Sequence, residues 1–295
     1  MKAVEKASGW LFALGLAFAI VLAFNYLDVF IMVCFRHAGI STKIYRGSFA
    51  ATAALANIIV FAVFFIVCKK IRRPVLQLNK IGLTDIVLVV IIAVGMLGFV
   101  ETFIMVSDRI SEYIKSLSDE MDAYRESVNR YSGVKEEAVP VWDTLIYLFS
   151  LCILVPIEEE MIFRGAIFGV LKRKMPPLFA ILVTAAIFGV MHRVSIHTAY
   201  AVVCGMILTA CYHFTENLIA SVIMHSLFNI LGSAIGDLLK LEGLGVASAV
   251  RNRILLNINV ICILMMVPAG LAFFYLQRSS KKRRLKQAES VTSGE

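Results

Sequence analysis

Residues 85–106 read DIVLVVIIAVGMLGFVETFIMV, an apolar block whose only charges are Asp85 at its start and Glu101 near its end. A run of about 18 or more apolar residues is long enough to cross the hydrocarbon core of a bilayer as a helix. Similar blocks recur at about 9–33, 49–68, 142–171, 177–192, 195–212, 217–236 and 254–277. Composition agrees, since 59% of the chain is hydrophobic and 17% charged, against roughly 45–50% and 25% in soluble domains. The pattern predicts an all-α, polytopic membrane helical bundle with about eight transmembrane helices, and it excludes a soluble globular domain. Only Arg193 and Val194 separate the fifth and sixth blocks, so these two are expected to form a tight hairpin that does not fully cross.

The formal net charge of +8 is placed in short runs: Lys69, Lys70, Arg72 and Arg73; Lys172, Arg173 and Lys174; Lys281, Lys282, Arg283 and Arg284. Each abuts an apolar block, which fits charges that set membrane orientation rather than contacts to nucleic acid. Read this way, the N- and C-termini are cytoplasmic and the expected location is a bacterial plasma membrane. Lys2 and Lys6 precede an apolar run that continues past the one small-x-small site, Ala17-Phe18-Ala19, so a retained first span is expected rather than a cleaved leader. The six cysteines form no CxxC pair, which gives no sign of a zinc ribbon or redox motif.

The chain divides into N-terminal transmembrane helices with an outer amphipathic segment (1–140), a membrane core (141–235), and a last transmembrane helix with a basic cytoplasmic tail (236–295). Within 107–141, Ile110, Tyr113, Ile114 and Leu117 have helical spacing, which predicts a helix plus loop lying on the membrane or capping the bundle.

The fourth block carries Glu158, Glu159, Glu160 and Arg164. A charge at bilayer depth costs about 2.5–3.5 kcal/mol on insertion scales, so it is retained when paired or used. Glu160 and Arg164 are four residues apart and share a helix face, the spacing of a supporting ion pair. Glu159 lies about 100° away with no basic partner in its own segment, and Glu158 lies further round, towards Pro156. His192 ends the fifth block, while His225 and Asn229 share one stripe of the seventh. Together Glu159, His192, His225 and Asn229 are the side chains needed to activate a water and stabilise an oxyanion. Glu159 can take a proton from a water held against His192, with His225 and Asn229 donating to the tetrahedral intermediate. Glu159, His192 and His225 are equally a possible zinc set that generates hydroxide. His37, His197 and His213 lie at span ends and receive no role.

The motifs Glu159-Glu160-x-x-x-Arg164, Phe188-x-x-x-His192 and His225-x-x-x-Asn229 resemble those of the type II CAAX prenyl endopeptidases and their bacterial relatives. This is the CAAX protease and bacteriocin-processing family, which includes lysostaphin resistance protein A-like members. The resemblance covers about residues 141–232. It implies an eight-helix intramembrane endopeptidase with Glu159 as general base, His192 as its partner, and His225 and Asn229 on the oxyanion side. It implies a protein or peptide substrate at the membrane, with the bilayer itself as the other partner. No cofactor is favoured, and zinc is the alternative. Two rival readings are a proton-coupled transporter using the same buried Glu and His residues, and a non-catalytic membrane immunity or partner protein. No internal repeat of the kind common in transporters is visible.

Residue counting leaves one difficulty. His192 lies near the outer end of its block and Glu159 towards the inner half of its own. At about 1.5 Å per residue, ideal full-length helices would hold them apart. A fourth helix broken at Pro156 and a displaced hairpin are expected to bring them together.

Overall fold

The computed structural model describes residues 2–71, 75–132, 139–192, 195–241 and 244–293. Ten helices follow in order: α1 (Lys2–His37), α2 (Arg46–Lys70), α3 (Leu83–Ser111), α4 (Lys115–Ser132), α5 (141–171), α6 (Pro177–Val190), α7 (Ser195–Thr215), α8 (Leu218–Leu238), α9 (Ser248–Leu264) and α10 (Met266–Ser293). No strand occurs among the described residues; the one extended pairing is an isolated antiparallel bridge between Leu78 and Asn217. The molecule is an all-α membrane helical bundle.

Among the described residues, α1, α2, α3, α7 and α8 are each long and apolar enough to cross a bilayer, and α9 with α10, bent by 46°, count as a sixth if the pair is one span. Expected from sequence as one span over 254–277, this pair breaks at Met265 because Pro268 follows three residues later. A proline ring has no N–H to give the carbonyl four residues back and clashes with it. Helix α6 has 14 residues, about 21 Å, against a hydrocarbon core of about 30 Å. It stops short as expected. Its partner α7 does not, so only one arm of the hairpin is truncated; Arg193 and Val194 lie outside the described residues, as do Arg72 and Arg73 of the first basic run.

Two other expectations are corrected. Helix α5 is not broken at Pro156 but runs continuously, with π-helical stretches at Ser150–Leu154 and Met161–Phe168 flanking the acidic turn Val155–Glu160. The stripe Ile110, Tyr113, Ile114 and Leu117 does not lie on one helix, because α3 ends at Ser111 and α4 starts at Lys115. Tyr113 is 86% exposed; the residue that anchors α4 is Met121, at 2%. An Arg125–Asp108 ion pair ties α4 to α3, and Tyr124 meets Tyr200 of α7 edge-on. Residues 133–138 of the expected loop lie outside the described residues.

Helix α5 is central: Ile162, Ala166, Ile167, Phe168 and Leu171 are fully buried. It packs against α1, α2, α6 and α8, while α3 packs against α8, α9 and α10. Asp143 in its first turn caps α2 from outside, accepting from the Gly47 and Ser48 backbone N–H groups at 2.7 and 2.8 Å and from the Ser48 hydroxyl at 2.7 Å. The first backbone N–H groups of α2 have no partner within their own helix, so a carboxylate there satisfies them and complements the helix dipole.

Close packing of α3 depends on two glycines. A Cβ on Gly98 would lie 2.1 Å from the Cys262 carbonyl oxygen, and one on Gly95 would lie 2.2 Å from the Ala269 Cβ. Small residues let membrane helices approach, and the contact gain is van der Waals packing. Gly98→Val is expected to cost about 1–3 kcal/mol by overpacking, read as a lower midpoint of thermal unfolding in detergent than wild type.

Candidate active site

The three acids of the α5 turn point three ways, and each finds a different neighbourhood. Glu160 is fully buried, and its Oε1 accepts from Arg164 Nη1 at 2.7 Å. The Arg164 guanidinium lies 4.5 Å over the Phe188 ring of α6, and Nη2 reaches the Gly205 carbonyl of α7 at 3.5 Å. One buried ion pair thereby joins three helices.

The same Glu160 oxygen is 2.9 Å from His225 Nδ1 on α8. A carboxylate held by a guanidinium can only accept, so Nδ1 carries the hydrogen. The tautomer is thereby fixed, and His225 Nε2 is the nitrogen that faces Glu159, 3.8 Å from its Oε2. That separation is too long for a direct hydrogen bond. The Glu159 Oε2 atom is buried and accepts from no group among the described residues. The sequence alone did not reveal the Glu160–His225 contact, because its partners are 65 residues apart.

His192 is held by its own helix end. Its Nδ1 is 2.8 Å from the Phe188 carbonyl; a carbonyl accepts, so Nδ1 donates and Nε2 is left as a lone pair in the neutral ring. Phe188 stands between the two histidines, with ring centroids 4.7 Å from His192 and 6.2 Å from His225. Phe163, on the Glu159 side of α5, meets Phe188 at 5.0 Å. Contact between Phe163 of α5 and Phe188 of α6 brings together the two helices that carry Glu159 and His192. His197 is centred 4.4 Å from the His192 ring and stacks on Tyr200 at 4.8 Å.

Asn229 has a structural bond. In the first π stretch, Val155 N–H donates to the Ser150 carbonyl five residues back. The same register points the Leu151 carbonyl at Pro156, which has no N–H to give. Asn229 Nδ2 supplies the missing donor to Leu151 at 2.9 Å. Asn229→Ala is expected to lower stability by about 1–3 kcal/mol through the orphaned carbonyl, measurable by chemical unfolding in detergent, whatever it does to activity.

Glu158 turns away from the histidines rather than towards the backbone near Pro156. Its Oε1 accepts from Asn57 Nδ2 of α2 at 2.7 Å, and the same amide donates to Asp28 Oδ1 of α1 at 2.9 Å. Sequence reasoning gave neither Asp28 nor Asn57 a role. The available signal was a lone acid and a lone amide inside otherwise apolar blocks.

At the basic end of α5, Lys172 Nζ donates to Gln77 Oε1 at 2.6 Å. Burial lowers the pKa of this ammonium from its ordinary value, and Glu216 works against that.

Residues 141–231 match the family described as Type II CAAX prenyl endopeptidase Rce1-like. The core resembles that family. All seven named motif residues fall inside the Rce1-like segment, and so do both π stretches of α5. Over 87 residues the chain is also 33% identical to UPF0177 protein YxdF of Lactococcus lactis subsp. lactis (strain IL1403), covering 29% of this chain and 48% of that protein. The chain thus spans about half the length of the curated relative it matches. No solved structure matches it.

The possible zinc set was tested against the placement of its donors. Glu159 and His225 approach one another, but His192 lies across the Phe188 ring, and no three His, Cys, Asp or Glu side chains among the described residues gather as a metal-binding group. The donors as placed do not fit one ion, and no step below is routed through a metal.

Proposed function

We propose that this chain is an intramembrane endopeptidase in which Glu159 activates a water for attack on a peptide bond of a membrane-associated protein or peptide. The observation that carries the reading is the alignment Glu160–His225–Glu159, inside a segment that matches an endopeptidase family. Glu160 orients His225 through Nδ1, as a buried acid does behind a catalytic histidine. A water beside Glu159 gives a proton to its carboxylate, and the resulting hydroxide attacks the carbonyl carbon. His225, carrying a proton at Nε2 as well as at Nδ1 in this step, donates to the oxyanion, and preorganised donors of this kind supply a large share of catalysis in a water-poor site. The remaining N–H of Asn229 is assigned to the same oxygen. His192 Nε2, a lone-pair acceptor, is assigned to the second hydrogen of the attacking water, a contact that needs the Phe188 ring to move from between the two histidines. Collapse of the intermediate breaks the C–N bond, and Glu159 returns its proton to the leaving amine.

The reading is tested by comparing new peptide termini in membranes of cells that produce wild-type protein or Glu159→Gln at equal level. Termini present only with wild type are expected; identical sets in the two samples would count against the proposal. Because no step needs a metal, turnover of the peptide so identified is expected to survive exhaustive chelation in protein shown by elemental analysis to contain no zinc. Loss of turnover on chelation, restored by zinc, would replace the water mechanism with a metal one.

A further inference from the structure

The basic run at the end of the last span divides into two kinds of charge. Arg283 and Arg284 turn inward and close the C-terminus of α7: Arg284 Nη2 donates to the His213 carbonyl at 2.6 Å and Arg283 Nη2 to the Phe214 carbonyl at 3.1 Å. Arg283 also pairs with Asp85 at 3.1 Å, and Arg284 with Glu216 at 3.3 Å. Cations that bond the last carbonyls of a helix complement its dipole. Lys281 and Lys282 are exposed and pair with no acid among the described residues.

Beside this latch lies a cleft of about 320 Å3 lined by Phe214, Gln277, Ser280, Lys281, Arg284 and Leu285. No acid lines it. The polar groups on its wall are an ammonium, a guanidinium, an amide and a hydroxyl; Phe214 and Leu285 are the apolar side. The cleft sits one turn past Phe274 and Tyr275, which are 62% and 59% exposed. Exposed aromatic residues at the end of an apolar span mark the level of lipid headgroups. Gln277, Lys281 and Arg284 recur at helical spacing, so one face of α10 carries both cations towards that level.

We propose that this cleft binds the phosphate of an anionic phospholipid headgroup. Lys281 brings a charge that pairs with no acid among the described residues, Arg284 adds a guanidinium already anchored to Glu216 and the His213 carbonyl, and the apolar wall at the end of a span favours an anion attached to acyl chains. Basic pockets between helix ends at a membrane surface recognise headgroups by this chemistry.

The test uses the full chain in neutral detergent, with three probes: dioleoyl phosphatidylglycerol, dioleoyl phosphatidylcholine and inorganic phosphate. Thermal unfolding and native mass spectrometry are the readouts. Phosphatidylglycerol is expected to raise the unfolding midpoint and to remain as a single bound lipid, while the other two do neither. Lys281→Gln should weaken phosphatidylglycerol binding roughly fivefold, the loss of one near-surface cation. Lys282→Gln removes the same charge one residue away, off the cleft wall, and should leave binding at the wild-type level. Equal losses in the two variants would reduce the effect to general surface charge and overturn the site. Equal stabilisation by phosphatidylcholine would do the same, and an equal effect of inorganic phosphate would reassign the cleft to free anions.

Discussion

Glu160→Gln is expected to destabilise the bundle by about 3–5 kcal/mol, the typical cost of stranding one partner of a buried ion pair. Both Glu160 and Arg164 are fully buried, so the guanidinium left behind would have neither a counter-charge nor water. Whole domains are stable by only about 5–15 kcal/mol, so the loss should appear as a large drop in membrane protein level and in unfolding midpoint. Glutamine keeps an acceptor for His225 Nδ1, which separates loss of charge from loss of the hydrogen bond. The double variant Glu160→Gln with Arg164→Met removes both charges, and an apolar replacement of a buried pair is often neutral. It should therefore recover much of the protein level. A wild-type unfolding midpoint for Glu160→Gln alone would show that the pair does not hold α5, α6 and α7 together.

Glu159→Gln should behave in the opposite way. Its Oε2 accepts from no group among the described residues and its side chain has no cationic partner at hydrogen-bond distance there, so exchanging the carboxylate for an amide breaks no bond that the fold relies on. Protein level and unfolding midpoint are expected to match or exceed wild type. Activity is expected to fall by about 10²–10⁴-fold or more, because an amide cannot take the proton of a water in the role of a general base. On the proposed mechanism the two neighbouring glutamates differ in what they do: one holds the fold, the other carries the proton. A shared phenotype for the two variants would contradict that division.

What the sequence disclosed was what is local or strongly out of place. The Glu160–Arg164 pair follows from a spacing of four on one helix, and charges inside an apolar block mark the site before any fold is known. The order of three motifs pointed to the same residues. Contacts between helices were hidden, because spacing along the chain says nothing about which faces meet. His225 meeting Glu160, Asn57 meeting Glu158 and Asp143 capping α2 all belong to that class. The π register of α5 was hidden for another reason: it alters hydrogen bonding without changing apolar periodicity, and it turns Pro156 from an expected break into the cause of an orphaned carbonyl. The bend at Met265 had a signal in Pro268 that the reading of 254–277 as one span did not use. The run Lys281–Arg284 gave its sign but not its division into a latch and an exposed surface.

The central claim is that Glu159 is the base of a peptide-bond hydrolysis. The most direct measurement is turnover by purified wild-type and Glu159→Gln protein, reconstituted into the same bilayer, of a peptide found by the comparison of termini. Cleavage at one bond by wild type, with none detectable from the equally folded variant, is the predicted result. Cleavage of that bond by Glu159→Gln at the wild-type rate would contradict it.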